Sequence, residues 1–247
     1  MTGEQKPKPG RARTGNRRLA EKVAELIEND IIENGVQIGS VLGSETDLIE
    51  RYGVSRAVFR EAVRLVEHQQ IASMRPGPGG GLVVTEPDPG VVRNAARVYL
   101  RHVAVSRQNL FEARMALELA AIAAAADKLT ESGITVLKDA LRVEAELIEQ
   151  GVARGHARNL HRVIAELAGN AAITLFVEVL AQLDEDFVQR EWGAPEADGE
   201  GHLDAARESH EAHEAIVAAI VAGDGSLGQY RMRRHLQAIA ALLEQDA

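Results

Sequence analysis

Residues 39–84, GSVLGSETDLIERYGVSRAVFREAVRLVEHQQIASMRPGPGGGLVV, decide the fold. Ser44 is a helix N-cap with the acidic Asp47 three positions on, and Leu48 and Ile49 give the short helix an apolar face before Tyr52-Gly53 stops it. Ser55 is a second N-cap, after which Val58, Ala62, Leu65 and Val66 recur at helical spacing and must face inward. Arg56 and Arg60 are four residues apart on the opposite face, near the helix N-terminus, and Arg64 follows one turn later. This placement suits a major groove: a helix N-terminus offers free N–H groups to phosphate, and a guanidinium can grip guanine O6 and N7 together. Residues 71–74 alternate like a short strand and 82–84 read as a second, around Arg75-Pro76-Gly77-Pro78-Gly79-Gly80-Gly81. A hairpin tip with so little side chain can approach a phosphate backbone closely; the plainer alternative is a flexible loop. Two helices, a tight turn and a hairpin together spell a winged helix-turn-helix.

The same stretch resembles the DNA-binding domain of the GntR family of bacterial transcription regulators. Val54-Ser55-Arg56 and Arg60-Glu61-Ala62 fall at that family's recognition-helix signature, and Gly77 falls at its wing tip. The resemblance implies DNA contacts from Ser55, Arg56 and Arg60 and from the wing at Arg75 and Gly77. One departure stands out: many relatives carry a DNA-contacting arginine after the Ser-Glu pair, and this chain has Thr46.

Composition frames the remainder. The chain has 247 residues, 45% hydrophobic and 3% aromatic, which fits two domains of alanine-rich, closely packed helices. With no cysteine, a disulfide framework or thiolate metal site is excluded, and the cytoplasm is the expected location. No apolar run approaches the roughly 18 to 20 residues that span a bilayer, and no secretory signal pattern opens the chain. The net charge of −9 argues against a nucleic-acid partner until its distribution is considered. Residues 1–85 hold 12 Lys and Arg against 11 Asp and Glu, while the remainder holds 16 against 26, so the acid lies away from the expected DNA face.

The sequence predicts three segments. Residues 1–16, with Lys6, Lys8, Arg11 and Arg13 among Pro and Gly, read as a disordered basic arm able to touch phosphates. Residues 17–86 form the DNA-binding domain, opened by an amphipathic helix over 17–34 with Leu19, Val23, Leu26, Ile27 and Ile31 on its core face. The run Glu86-Pro87-Asp88-Pro89-Gly90 punctuates the chain, and residues 87–247 read as an antiparallel bundle of about six or seven helices. Ser106 and Thr130 are its N-caps, Gly151 and Gly169 its stops, and Gly193 to Gly201 its longest, mobile loop. The expected class is thus mainly α, a winged helix-turn-helix plus an all-helical bundle.

The second half resembles the helical effector domain, often called FCD, of the FadR-like branch of the GntR family. The motifs are FEARMALELAA at 111–121, LHRVIAELAGN at 160–170, HEAIVAAIVAGD at 213–224 and the closing His235-Leu236. The resemblance implies a homodimer reading two half-sites of a near-palindromic operator, and a small-molecule effector that alters the placement of the two DNA-binding domains. His156, His161, His210, His213 and His235 are the histidines of interest, and His161, His213 and His235 lie on three separate predicted helices among apolar neighbours. Many family members bind a divalent metal through three such histidines and an aspartate four residues before the first. Here that position is Ala157, so the carboxylate is missing, and His210 or water is the substitute. Zn²⁺ or Ni²⁺ is the expected metal; three hydrogen-bonded core histidines are the alternative. Arg114 falls where the family often lines its effector cavity, which implies an effector carboxylate, against an ordinary ion pair with Glu118 four residues on.

Two other functions compete. A metal-dependent hydrolase would use Glu211 or Glu214 as general base, but His210-Glu211-Ala212-His213 is one residue too short for the H-E-x-x-H spacing. A regulator with a metal-free apolar pocket for acyl-CoA would use the room left by the alanine-rich helices and needs no aspartate.

Overall fold

The computed structural model describes residues 9–152, 157–192 and 200–245; His156 and most of the predicted 193–201 loop lie outside them. The chain divides into two compact units, Met1–Val91 and Val92–Ala247.

In the first unit, α1 (Pro9–Glu33) packs on α3 (Arg56–His68), with α2 (Glu45–Tyr52) between them in sequence. Helix α1 starts at Pro9, well inside the stretch expected to be a disordered arm. Proline suits a first helical turn, because its missing N–H has no intrahelical partner there. The core face of α1 is also shifted from the predicted one. Ala20, Val23, Ala24, Ile27 and Ile31 are buried, whereas Leu19 and Leu26 are 42% and 50% exposed. The buried set follows the 3.6-residue period with small alanines at its centre, which allows α3 to approach closely.

Helix α2 starts with a complete capping box: Ser44 Oγ accepts from Asp47 N, and the Asp47 carboxylate accepts from Ser44 N. It ends at Gly53, whose φ of 61° is the left-handed C-cap conformation that side chains with a Cβ resist. Helix α3 buries Val58, Phe59, Ala62, Val63 and Val66. Complete burial of a residue like Phe59 contributes about 1.5–3 kcal/mol, enough to fix which face of α3 turns outward.

The wing is a three-stranded antiparallel sheet in the order β1-β3-β2, from β1 (Val41–Gly43), β2 (Ala72–Arg75) and β3 (Gly81–Val84). The β2–β3 hairpin pairs Ala72 with Val84 and Arg75 with Gly81. Strand β1 was not predicted, since three residues carry no legible alternation. It requires glycine at 81, where a Cβ would stand 2.3 Å from the Gly43 carbonyl oxygen. Glu67 on α3 fixes the wing by accepting from Met74 N at 3.0 Å.

Helix α4 (Pro89–His102) begins three residues before the second unit, which also holds α5 (Arg107–Lys128), α6 (Glu131–Glu149), α7 (Ala157–Leu167), α8 (Ala171–Trp192), α9 (Glu200–Val221) and α10 (Gly225–Gln245). Ser106 and Thr130 cap α5 and α6 through their side-chain oxygens, as their sequence positions predict. Helix α5 is central, packed on α7, α8, α9 and α10. Ala121, Ala125, Ala165 and Ala168 sit fully buried beside Ile122, Leu160, Ile216 and Leu236, so the small side chains serve close helix approach.

Candidate functional site

The outward face of α3 carries the arginines read from the sequence. The Arg56 and Arg60 side chains are 70% and 72% exposed, and each places Nε near Glu45 Oε1, at 3.6 Å and 3.7 Å. Arg64 instead pairs with Glu61 at 3.1 Å. Ser55 Oγ accepts from Val58 N at 3.4 Å and so caps α3, leaving its O–H able to donate elsewhere. Arg75 ends β2 and is exposed, and Gly77 sits at the hairpin tip with φ of 99°.

The helical unit brings together His161 of α7, His213 of α9 and His235 of α10, all buried. Their Nε2 atoms converge: His213 Nε2 stands 3.3 Å from His161 Nε2 and 3.0 Å from His235 Nε2. Behind them, the Nδ1 of His161 meets Glu118 Oε2, and the Nδ1 of His213 lies 2.9 Å from both oxygens of Glu144. A carboxylate at Nδ1 holds the proton there and turns an unprotonated Nε2 inward. Two Nε2 lone pairs facing each other repel unless a proton or a cation lies between them. Two imidazoles on one tetrahedral Zn²⁺ at 2.0–2.1 Å hold their nitrogens about 3.3 Å apart, so the observed spacing fits such an ion. Among the described residues, these three histidines are the group able to hold a metal.

Charge balance supports the donor set. Burial pushes the Glu118 carboxyl upward, but His161 and Arg114 outweigh it and hold it down at about 2. Burial and the neighbouring His161 and His213 push His235 down to about 2, and burial also lowers His213, so both rings are neutral and able to act as ligands. His210 is not part of the cluster: its Nδ1 lies 2.9 Å from Glu144 Oε2, on the carboxylate that backs His213. Glu211 and Glu214, nominated as hydrolytic bases, are exposed.

Arg114 is buried, and its Nε donates to Glu118 Oε1 at 2.6 Å. Its Nη1 lies 3.6 Å from Asp184 Oδ2, and Arg107 Nε donates to Asp184 Oδ1 at 3.2 Å. The ion pair with Glu118, set in the sequence against an effector carboxylate, is therefore made, with Asp184 added. The roles of Glu144 and Asp184 were missed, although Glu144 sits on the apolar register Leu137, Ala140, Ile148 of α6, where a charge calls for a buried partner.

A DNA-reading winged helix followed by a helical domain with a buried histidine cluster defines a ligand-responsive, DNA-binding transcription regulator. Residues 19–82 match the gntR family of bacterial regulatory proteins, and residues 109–238 match the FCD domain. The chain belongs to the GntR family, with an FCD effector domain. It is 26% identical over 240 residues to a Uxu operon regulator of Haemophilus influenzae, covering 92% of this chain and 82% of that one. It is 25% identical over 229 residues to the HTH-type transcriptional repressor NanR of Shigella dysenteriae, covering 91% and 84%. A solved Streptococcus agalactiae GntR structure shares the fold at a TM-score of 0.67 and 21% identity, covering 89% of this chain and 98% of that one. Among the described residues, no helix is long and apolar enough to cross a membrane.

Proposed function

We propose that this regulator is a metal-dependent repressor that senses a small carboxylate metabolite, with His161, His213 and His235 as ligands of one Zn²⁺ or Ni²⁺. The observation that carries the reading is the convergence of three Nε2 atoms, two of them backed by carboxylates on Nδ1. Such an ion would supply a Lewis-acidic centre for an effector oxygen, a role open here because Ala157 offers no ligand atom. Ser55, Arg56, Arg60, Arg75 and Gly77 would form the DNA-contacting face, presented in duplicate by a homodimer to two half-sites. A relative described as a repressor supports that sign of regulation. Arg114 would act through Glu118 on His161, orienting the cluster rather than binding the effector directly.

The deciding experiment is elemental analysis of tag-free protein purified without chelator. We expect one zinc or nickel ion per chain. Protein that stays metal-free after incubation with both ions would overturn the reading and direct the effector search to acyl-CoA and other apolar ligands.

A further inference from the structure

We propose that Glu45 is a specificity-determining positioning residue of the DNA-reading face, one carboxylate that aims Arg56 and Arg60 together; this rests on the reading of those arginines as base-contacting. Glu45 is the first residue of α2, immediately after the Ser44 cap, so its backbone is fixed by the capping box. Its Oε1 is buried and without a hydrogen-bond partner, yet lies 3.6 Å from Arg56 Nε and 3.7 Å from Arg60 Nε. Those separations exceed a hydrogen bond, so the contact is ionic. An oxygen desolvated without a donor is costly, and two guanidiniums on adjacent turns repel; each fact accounts for the other.

Neighbouring carboxylates have other tasks. Glu61 takes Arg64, and Glu67 takes the Met74 amide that pins the wing. Among the described residues, Glu45 is the carboxylate that spans the two leading arginines. Both contacts are made through Nε, and the terminal Nη pair of a guanidinium approached from that side can bridge guanine O6 and N7. Two consequences follow for binding. Long side chains held in advance lose less freedom on docking, which favours the correct duplex. One negative charge between two positive ones also weakens the sequence-independent pull of phosphate. Glu45 thus raises specific binding and lowers non-specific binding.

The test compares two probes at one salt concentration by fluorescence anisotropy: a duplex selected from a randomised library by the wild-type protein, and a scrambled duplex of equal length and composition. Glu45→Gln keeps size and removes charge. It is expected to weaken binding to the selected duplex and strengthen binding to the scrambled one, lowering their ratio by about tenfold. In an Arg56→Ala/Arg60→Ala background the same change should leave the ratio where it stands. Glu45→Asp keeps the charge with shorter reach, and should weaken the selected duplex without strengthening the scrambled one. A purely structural role would move both affinities down together, and that result overturns the proposal. An unchanged ratio in Glu45→Gln, with the arginine variants impaired, overturns it as well and leaves base reading intact. Arginine variants that keep the wild-type ratio would overturn the base-reading role itself, and the proposal with it.

Discussion

His213→Ala removes the ring at the centre of the cluster, whose Nε2 lies 3.3 Å from His161 and 3.0 Å from His235. Two separable losses should follow. The first is independent of metal: a wholly buried imidazole leaves a cavity, and Glu144, 2% exposed, loses its contacts with that ring and keeps His210 as a partner. By analogy with other buried truncations this costs about 2–5 kcal/mol of fold stability. The second is the metal linkage. An ion held at a free concentration about 1,000-fold above its dissociation constant stabilises the folded state by about 4 kcal/mol. For a chain of this size that is a rise in Tm of about 8–16 °C. Differential scanning fluorimetry of chelator-stripped protein, with and without Zn²⁺ or Ni²⁺, measures the second term apart from the first. Wild type should show the full rise; His213→Ala, starting from a lower Tm, should show almost none. The reasoning is refuted if the variant keeps the wild-type increment, or if stripped wild type responds to neither ion.

Three further outcomes are expected. Glu144→Gln keeps the shape behind His213 but loses the charge that fixes its tautomer, so metal affinity should fall about 10- to 100-fold by competitive chelator titration, with ligand count unchanged. In metal-free protein, His213 and His235 resist protonation while the unfolded chain takes up protons below about pH 6.5. Their stabilising contribution is therefore complete above that pH and is lost on acidification. For His235, held down to about 2, the loss between about pH 7.5 and 5.5 is on the order of 1 kcal/mol, and an equal urea midpoint at the two pH values in EDTA would contradict it. Arg56→Ala should weaken operator binding about 5- to 150-fold by anisotropy while metal content stays normal, and an effect no larger than on scrambled DNA would deny it a role in base reading.

Local signals made most of the fold legible. Ser44, Ser55, Ser106 and Thr130 each act at the helix start their sequence positions indicate, because a cap depends on a few adjacent residues. Gly53 stops α2 for an equally local reason. What escaped was set by distant partners. Strand β1 exists because β3 is there to pair with it, and the core face of α1 is chosen by where α3 lies, not by the placement of Leu19 and Leu26. The candidate metal site divides the same way. Three histidines on three apolar helical stripes can be read from spacing, whereas Glu118 and Glu144 gain their roles only when α5 and α6 bring them behind His161 and His213. The Glu45 contact with α3 likewise joins two helices across a turn.

The charge arrangement around Arg114 bears on how an anionic effector could be held. Glu118 and Asp184 both contact Arg114, and Arg107 contacts Asp184 from the start of α5. Their four formal charges cancel; burial works to lower the Arg114 guanidinium, but the negative charges, with Glu185 beside them, outweigh it and raise it. An incoming carboxylate would have to displace one of these partners to gain a net attraction from Arg114. The three-histidine cluster is different in kind, because neutral imidazoles leave the full charge of a divalent ion uncompensated in a buried place. The nearest carboxylates, Glu118 and Glu144, are turned to the Nδ1 sides and already occupied. Positive charge in search of an oxygen donor would therefore lie at the metal and not at Arg114. Ala157 brings no carboxylate to the start of α7, so an ion held as proposed would take its balancing negative charge from the effector.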